Sequence, residues 1–411
     1  MFFTLKDLEF KGKRVLVRVD FNVPADDKGN ITNDKRIKEA LPTIQYLLDK
    51  GAKQVIIMSH LGRPDGQVVE KYRLDKVADR LGELLDEKVI KLDDCVGVNI
   101  PDNKIVMLEN LRFHKEEEGN DAAFARRLAS NADIFVNDAF GTCHREHASV
   151  AGVTKHLPSA AGFLMQKELD IMGKAVSDAE KPFVAVLGGA KVSDKIGLIS
   201  NLITICDKIL IGGAMMFTFL KAKGIDVGKS KFEEDKLEIA KNLLKLGKNK
   251  LVLPADAVAA DKFDANAKSK EVDVNSIPSG WLGLDIGPKT VEMFKKELAS
   301  AKTVLWNGPM GVFEFDKFAN GTEKIAKFIA GLDAVTIIGG GDSAAAVEKL
   351  GLEKKMTHVS TGGGASLEFF EGKKLPGVKA LEENYAHFKK HDKLSLGDYL
   401  SPLHEPIRRR E

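Results

Sequence analysis

Short apolar runs alternate with longer amphipathic windows along the whole chain, and this alternation limits the possible folds more than any other feature. The windows between the runs, such as 34–49 and 121–131, have helical periodicity. Strands that are apolar on both faces and separated by helices are typical of parallel sheets covered on both sides. The sequence therefore predicts an α/β fold with two doubly wound, Rossmann-like parallel-sheet domains. The predicted strands are 14–20, 54–59, 104–109, 133–138, 183–188, 208–212, 250–254, 303–306 and 334–339.

A chain of 411 residues is longer than one ordinary hydrophobic core supports, so two domains are expected. The best boundary is a helical window at 163–178, which Gly162 precedes and Pro182 follows. We expect this window to be a hinge helix between a first domain at 1–162 and a second at 179–372. No Gly/Ser-rich linker separates them, which favours a defined connection.

Composition excludes several classes of protein. The 62 basic and 60 acidic residues give a net charge of +2, which argues against a bulk nucleic-acid or membrane-surface binder. Three scattered cysteines without a Cys-x-x-Cys pair fit a reducing compartment and give no zinc site or disulfide framework. We see neither a signal peptide nor an apolar stretch of about 18 residues, so we expect a cytoplasmic protein.

The predicted strands of the first half end in cations and hydrogen-bonding groups. Ligands of open parallel sheets bind just beyond the carboxyl ends of the strands. An arginine alone would be interpreted as one partner of a surface salt bridge. Several arginines at neighbouring strand ends favour a site for a small molecule with several negative charges. The segments concerned are Arg18–Pro24, Ser59–Pro64, Glu109–His114 and Asp138–Arg145, with Arg36 close behind the first.

The predicted strands of the second half end in glycine. Such loops let a backbone approach a ligand and leave N–H groups free, and two of them open helices that favour phosphate. Lys191 and Lys195 are four residues apart and would share a face of a helix. Asp342 is a candidate Mg²⁺ ligand, although it could equally cap a helix. The glycine loops are 187–191, 211–214, 307–311, 339–343 and 361–365.

These motifs together resemble the phosphoglycerate kinase family over residues 1–382. The resemblance implies a reversible phosphoryl transfer between 1,3-bisphosphoglycerate plus ADP and 3-phosphoglycerate plus ATP, with Mg²⁺. It also implies that the terminal segment 373–411 packs on the first domain and that the enzyme is a monomer. The matching blocks are RVDFNVP at 18–24, SHLGRP at 59–64, ENLRFH at 109–114, GGAKVSDKI at 188–196, WNGPMGVFEFDKFAN at 306–320, GGGDS at 339–343 and STGGGASLE at 360–368.

The same resemblance implies roles for individual residues. The acid substrate would contact Asp20, Asn22, Arg36, His60, Arg63, Arg112 and Arg145. The nucleotide would contact Lys191, Lys195, Gly212, Gly213, Gly283, Glu314, Gly340, Gly341, Asp342 and Ser343, with Asp342 facing the metal. The residues implied to be catalytic are Arg36, Lys191, Lys195, Gly340 and Gly363.

Neither nucleophile of such a reaction, a carboxylate or an ADP phosphate, needs a general base near pH 7. Catalysis would then consist of positioning and charge stabilisation, after closure of the two domains has brought donor and acceptor together. Two alternatives remain open at this point. One is a kinase that acts on a different carboxylate, and the other is a non-catalytic binding protein that kept the fold.

Overall fold

The computed structural model describes residues 1–389, and the chain forms two compact units. The first comprises residues 1–169 together with 374–389, and the second comprises residues 170–373. Each unit is built around a parallel sheet flanked by helices, so the predicted α/β class is confirmed. For the part of segment 373–411 beyond residue 389, the predicted packing on the first domain lies outside the described residues.

The first unit contains a seven-stranded parallel sheet in the order β1-β7-β6-β2-β3-β5-β4. Its central strands are buried along most of their length, because helices cover both faces. The strands are β1 Phe3–Thr4, β2 Arg14–Arg18, β3 Gln54–Met58, β4 Val89–Lys91, β5 Ile105–Met107, β6 Ile134–Asn137 and β7 Ser159–Ala161. The helices are α1 Lys35–Asp49, α2 Asp75–Leu85, α3 Lys115–Glu118 and α4 Ala122–Ala129, with the later α13 Pro376–Lys389.

Helix α13 is fixed to the first unit by buried polar contacts. The Asn384 side chain accepts a hydrogen bond from the backbone N–H of Ser159 at 2.9 Å and donates to the carbonyls of Thr154 and Leu157. At the start of the helix, Gly377 N–H donates to the carbonyl of Cys143. The last helix of the described chain therefore completes the core of the first unit.

The second unit contains a six-stranded parallel sheet in the order β10-β9-β8-β14-β15-β16. Its strands are β8 Phe183–Leu187, β9 Lys208–Ile211, β10 Leu251–Val252, β14 Thr303–Asn307, β15 Val335–Gly339 and β16 His358–Val359. Its helices are α6 Ile196–Ile205, α7 Met215–Ala222, α8 Leu237–Leu246, α9 Pro288–Leu298, α10 Asn320–Ile329, α11 Gly341–Lys349 and α12 Gly364–Phe370. All nine predicted strands of the chain are present, although several are shorter than predicted.

A second sheet of three antiparallel strands lies in the same unit and was not predicted. It consists of β11 Asp256–Ala260, β12 Ser269–Asp273 and β13 Leu282–Ile286, with β11 in the centre. Strand β12 is largely exposed and carries Lys270 and Glu271, so it lacks the apolar run from which the nine predicted strands were identified. Polar edge strands of this kind give a weak sequence signal.

Helix α5, Phe163–Ser177, matches the helix predicted at 163–178, and the division between the two units falls within it. Its first turn is held by Asp138, whose Oδ1 accepts from the N–H groups of Leu164 and Met165 at 2.9 and 3.2 Å. Burial raises the pKa of Asp138 from 3.8 to about 7, against the opposing hydrogen bonds from Thr43 and the helix. The start of α5 therefore depends on a buried carboxyl group that titrates near neutrality.

This carboxyl group makes a testable contribution to the pH dependence of stability. The folded protein holds the Asp138 proton more tightly than the unfolded chain, so this stabilisation is complete below pH 3.8 and lost as pH rises to about 7. Relative to Asp138→Asn, the wild type should therefore lose about 3 kcal/mol of unfolding free energy between pH 5 and pH 8. Urea unfolding followed by circular dichroism at both pH values measures this difference. The Asp102→Asn variant, changed at an exposed position, keeps Asp138 and should lose as much stability between the two pH values as the wild type. A difference between the wild type and Asp138→Asn that does not change with pH would contradict the prediction.

No helix within residues 1–389 combines the length and the apolar character needed to cross a membrane.

Candidate functional site

The ends of β2 and β3 bring Asp20, Arg36 and His60 together in the first unit. Arg36, on the first turn of α1, donates a hydrogen bond to Asp20 Oδ2, and His60 Nδ1 lies 4.0 Å from Asp20 Oδ1. Burial alone would raise the pKa of Asp20, but its charged neighbours, Arg36 foremost, lower it below its ordinary value. The carboxylate is therefore ionised at neutral pH and holds Arg36, whose side chain remains 32% exposed.

His60 is neutral at physiological pH. Burial lowers the pKa of His60 well below 6.5, and Arg18 and Arg112 lower it further. Its Nδ1 accepts a hydrogen bond from Arg18 at 3.2 Å, so its proton lies on Nε2. This arrangement leaves Nε2 as a hydrogen-bond donor beside a group of guanidiniums.

Arg112 and Asn22 hold the loop that follows β3. Arg112 Nη1 donates to the carbonyl of Gly62 at 3.0 Å, and the Gly62 N–H donates to Asn22 Oδ1 at 2.9 Å. Burial lowers the pKa of Arg112, and the charge of Arg145 contributes in the same direction, whereas Glu118 opposes it. Arg63 and Arg145 are both exposed, Arg63 in this loop and Arg145 close enough to Arg112 to affect its pKa. Six of the seven predicted acid-substrate residues thus follow neighbouring strands of one sheet, and the seventh, Arg36, reaches them from α1.

A buried ionic network lies beneath these residues and was not included among the predicted site residues. Arg18 Nε donates to Ser149 Oγ at 2.8 Å, and Ser149 Oγ and N–H donate to the two carboxylate oxygens of Glu117 at 2.6 and 2.9 Å. Arg18, Ser149 and Glu117 are all completely buried. Since Arg18 also contacts His60, the network fixes the floor of the candidate anion site. Arg18 was visible as an arginine in an apolar strand, but Glu117 lies in the run KEEE, which resembles an exposed helix.

Removing Glu117 should destabilise the first unit. Burial raises the pKa of this carboxyl and Arg18 opposes the rise, so the two charges depend on each other. Glu117→Ala would leave the buried Arg18 without its main counter-charge, at a cost of about 3–5 kcal/mol. We expect a marked fall in the urea midpoint by circular dichroism. The neighbouring Glu118→Ala, which removes a partly exposed partner of Arg112, should cost less than about 1 kcal/mol. Equal effects of the two substitutions would contradict this interpretation.

Glycine loops at the carboxyl ends of β8, β9, β14 and β15 pack against one another in the second unit. A Cβ atom at Gly213 would lie 2.4 Å from the backbone nitrogen of Gly189, and one at Gly212 would lie 2.6 Å from Met310 Sδ. Side chains are therefore excluded here by the backbone of the adjacent loops and by the Met310 side chain. The close packing leaves main-chain groups, rather than side chains, to line the sheet edge.

A cavity of about 320 Å³ opens over these loops, which is a size typical of small-ligand sites. Its walls are mainly apolar and include Phe217 and Phe263, while Glu314 and Asp342 supply carboxylates. The apolar wall of this cavity suits a flat ring. The backbone of the glycine loops and the few polar groups beside them suit a polyphosphate, so the cavity fits a molecule that has both. The lining residues are Gly189, Ala190, Gly213, Ala214, Met216, Phe217, Lys231, Phe263, Leu282, Gly283, Leu284, Asp285, Pro309, Met310, Gly311, Val312, Glu314 and Asp342.

The two predicted lysines differ in environment. Lys195 is buried and donates to Asn307 Oδ1 at the end of β14, whereas Lys191 is exposed. The expectation of a shared helical face is wrong, because a 3-10 turn at Ser193–Lys195 precedes α6 and Lys191 lies outside both. Burial lowers the pKa of Lys195 to about 8, against the opposing charges of Asp194 and Asp342. A partly desolvated ammonium at this position is suited to bind an anion.

The remaining predicted nucleotide residues lie at helix starts. Gly340 precedes α11 with a φ of +88°, a left-handed conformation that favours glycine. Asp342 is exposed in the first turn of α11, and Gly341 is exposed beside it. Ser343 differs, because its Oγ is buried and accepts from Gly308 N–H at 2.6 Å. Gly363 precedes the short helix α12.

Comparisons with known proteins agree on one family. The model of the phosphoglycerate kinase family matches residues 5–373. A phosphoglycerate kinase of Gloeothece citriformis is 58% identical over 393 residues, which cover 92% of this chain and 98% of that protein. A chloroplastic phosphoglycerate kinase of Volvox carteri is 59% identical over 390 residues, covering 91% and 84% of the two chains. The solved phosphoglycerate kinase of Coxiella burnetii superposes with a TM-score of 0.86 at 41% identity, covering 93% of this chain and 99% of that one.

Proposed function

The chain belongs to the phosphoglycerate kinase family, and we propose that it catalyses the reversible transfer of a phosphoryl group between 1,3-bisphosphoglycerate and ADP. The products are 3-phosphoglycerate and ATP, so the reaction is a step of glycolysis and gluconeogenesis. The observation that carries this proposal is the pairing of two kinds of site in one chain. One unit has converging guanidiniums around Asp20 and His60, and the other has a glycine-lined cavity.

We assign binding of the acid substrate to the first unit. Arg36, Arg63, Arg112 and Arg145 would bind its phosphate and carboxylate oxygens, since guanidiniums form paired hydrogen bonds with both groups. The Nε2 proton of the neutral His60 would donate a further hydrogen bond. Asp20 and Asn22 would orient the cations and the loop after β3 through the contacts they already make.

We assign the nucleotide to the cavity of the second unit. Gly213 and Gly283, which line the cavity, would border the ring, and Gly212 would hold Met310 of the cavity wall close to the loop. Lys191, Lys195 and the start of α11 would bind the phosphates. Asp342 would hold Mg²⁺, because magnesium on a nucleotide usually takes one or two carboxylates together with phosphate oxygens and water. When bound, the ion neutralises charge on the phosphate oxygens.

The chemistry requires positioning and charge stabilisation but no general base. The carboxylate of 3-phosphoglycerate is ionised at neutral pH and is itself the nucleophile. Arg36 and Lys195, with the backbone N–H groups near Gly340 and Gly363, would stabilise the charge on the transferring group. Because each substrate is assigned to a different unit, we propose that the units close around the substrates before transfer. Closure would also protect the acyl phosphate from water.

The direct test is Mg²⁺-dependent formation of ATP from 1,3-bisphosphoglycerate and ADP by the purified chain. Saturable turnover that disappears when EDTA removes Mg²⁺ is expected. If the chain formed ATP from another acyl phosphate but not from 1,3-bisphosphoglycerate, the result would favour a kinase for a different carboxylate. Binding of both substrates without turnover would favour the non-catalytic alternative.

We further propose that the enzyme works as a cytoplasmic monomer and does not bind nucleic acid. Sedimentation at micromolar concentration should give the mass of one chain, 44.9 kDa. A mass of two chains would contradict the monomer. Since the Volvox carteri relative is described as chloroplastic, the compartment is best tested by fractionation of the source cells.

A further inference from the structure

Three side chains with different donor atoms converge in the first unit, and none of them is among the residues assigned to the acid substrate. Asp94 and Cys95 lie in the loop after β4, and His114 follows the 3-10 turn Leu111–Phe113. The His114 Nε2 atom lies 2.6 Å from Asp94 Oδ1. One ligand atom from each of the three residues lies within 4.8 Å of the other two. An oxygen, a nitrogen and a sulfur donor are thus already close enough to contact a single ion.

The three donors are held in place by the surrounding chain. The N–H groups of Cys95 and Val96 donate to Asp94 Oδ1 at 2.6 and 3.4 Å, which fixes the carboxylate. The His114 ring packs on Phe124 with centroids 5.3 Å apart, which fixes the imidazole. Such preorganisation by outer contacts is characteristic of metal sites in proteins.

Access differs among the donors in a way that suits an ion entering from solvent. Cys95 is completely buried, whereas the side chains of Asp94 and His114 are 42% and 26% exposed. A cation held by all three would therefore have sulfur on its protein side and room for water on its solvent side. Three protein ligands and one water are a common coordination for zinc.

We propose that Asp94, Cys95 and His114 bind a thiophilic divalent cation of the Zn²⁺ class, with water in the fourth position. Sulfur and imidazole donors select such ions over Mg²⁺ and Ca²⁺, which prefer oxygen ligands. The carboxylate and a thiolate would balance the double positive charge. This site differs in chemistry and in location along the chain from Asp342, the proposed Mg²⁺ ligand.

Binding involves no redox step. The S–H bond of Cys95 breaks, its proton goes to solvent, and the thiolate donates an electron pair to the ion. The Nε2–H of His114, which donates to Asp94 before binding, also loses its proton to solvent. The neutral imidazole, with a proton on Nδ1, then binds through the Nε2 lone pair, and coordination of both groups replaces the hydrogen bond to Asp94. The sequence had indicated no zinc site, because that expectation considered cysteine pairs alone, and this set contains one cysteine.

A competing interpretation is an ordinary Asp–His hydrogen bond beside a core cysteine, since Cys95 also packs with Leu108, Leu111 and Phe124. Titration of the untagged, reduced, full-length chain with Co²⁺, in the absence of nucleotide, separates the two. Binding of one equivalent with a thiolate-to-cobalt charge-transfer band is expected. Zn²⁺ should abolish the band, whereas excess Mg²⁺ should leave it.

Variants identify the ligands. Cys95→Ser and His114→Gln should each lose the charge-transfer band, while Cys206→Ser, which removes a buried thiol of the second unit, should retain it. Near-ultraviolet circular dichroism checks that each variant is folded. If Cys95→Ser does not fold, the His114→Gln variant tests the proposed site. Absence of a saturable band in the wild type, or its persistence in a folded Cys95→Ser or His114→Gln variant, would overturn the proposal.

Discussion

Replacement of Lys195 by alanine is expected to lower kcat about a thousandfold while leaving the affinity for 3-phosphoglycerate nearly unchanged. The ammonium group is buried and held by Asn307, so it is positioned before the nucleotide arrives. Interactions with a preorganised, desolvated cation stabilise developing charge more strongly than those with a solvated one. Steady-state kinetics in the direction of ATP consumption measure kcat, and calorimetric titration with 3-phosphoglycerate measures the affinity.

The pH dependence supplies an independent test of the same residue. Burial lowers the pKa of Lys195 to about 8, so its charged fraction falls as pH rises through that value. The kcat/KM for nucleotide should therefore decline above about pH 8 in the wild type, and this decline should be absent in Lys195→Ala. Lys241→Ala, on the exposed face of α8, serves as the control and should behave as the wild type. Full residual turnover of Lys195→Ala would exclude the residue from the mechanism.

The parallel sheets were predictable because their strands are buried on both faces and therefore apolar throughout. Val15 to Val17 and Phe183 to Leu187 illustrate this, since each run is almost completely buried. The antiparallel strand Ser269–Asp273 escaped prediction because it is exposed and charged, and its pairing with β11 is set by tertiary contacts. Strands β11 and β13 are mostly buried and were also missed, because their short runs DAVAA and LGLDI contain aspartate and small residues. Apolar patterning thus detects strands where a continuous run of large apolar residues is buried.

The parts of the candidate site that could be predicted from the sequence are the segments that follow the strands and the glycine loops. Gly340 precedes a helix in the structure as expected, because few other residues adopt its left-handed conformation. The prediction that Lys191 and Lys195 share a helical face was wrong, because a 3-10 turn replaces the expected helical turn. The contact of Arg18 with Ser149 and Glu117 joins segments far apart in the chain, and a single sequence carries no signal for such a pairing.

Arg36→Ala should lower kcat about a thousandfold and change nucleotide affinity little, which separates its role from that of Lys195. Arg36 is held by Asp20 but remains partly exposed, so it can reach a ligand without losing its orientation. Its loss would also leave Asp20 without its principal counter-charge, which should weaken binding of the acidic substrate through repulsion. The matched control is Lys38→Ala on the same helix, whose exposed pairing with Asp34 contributes little. Single-turnover rates together with ADP titration distinguish the effects, and equal losses of turnover and nucleotide affinity would contradict the assignment of Arg36 to the transferring group.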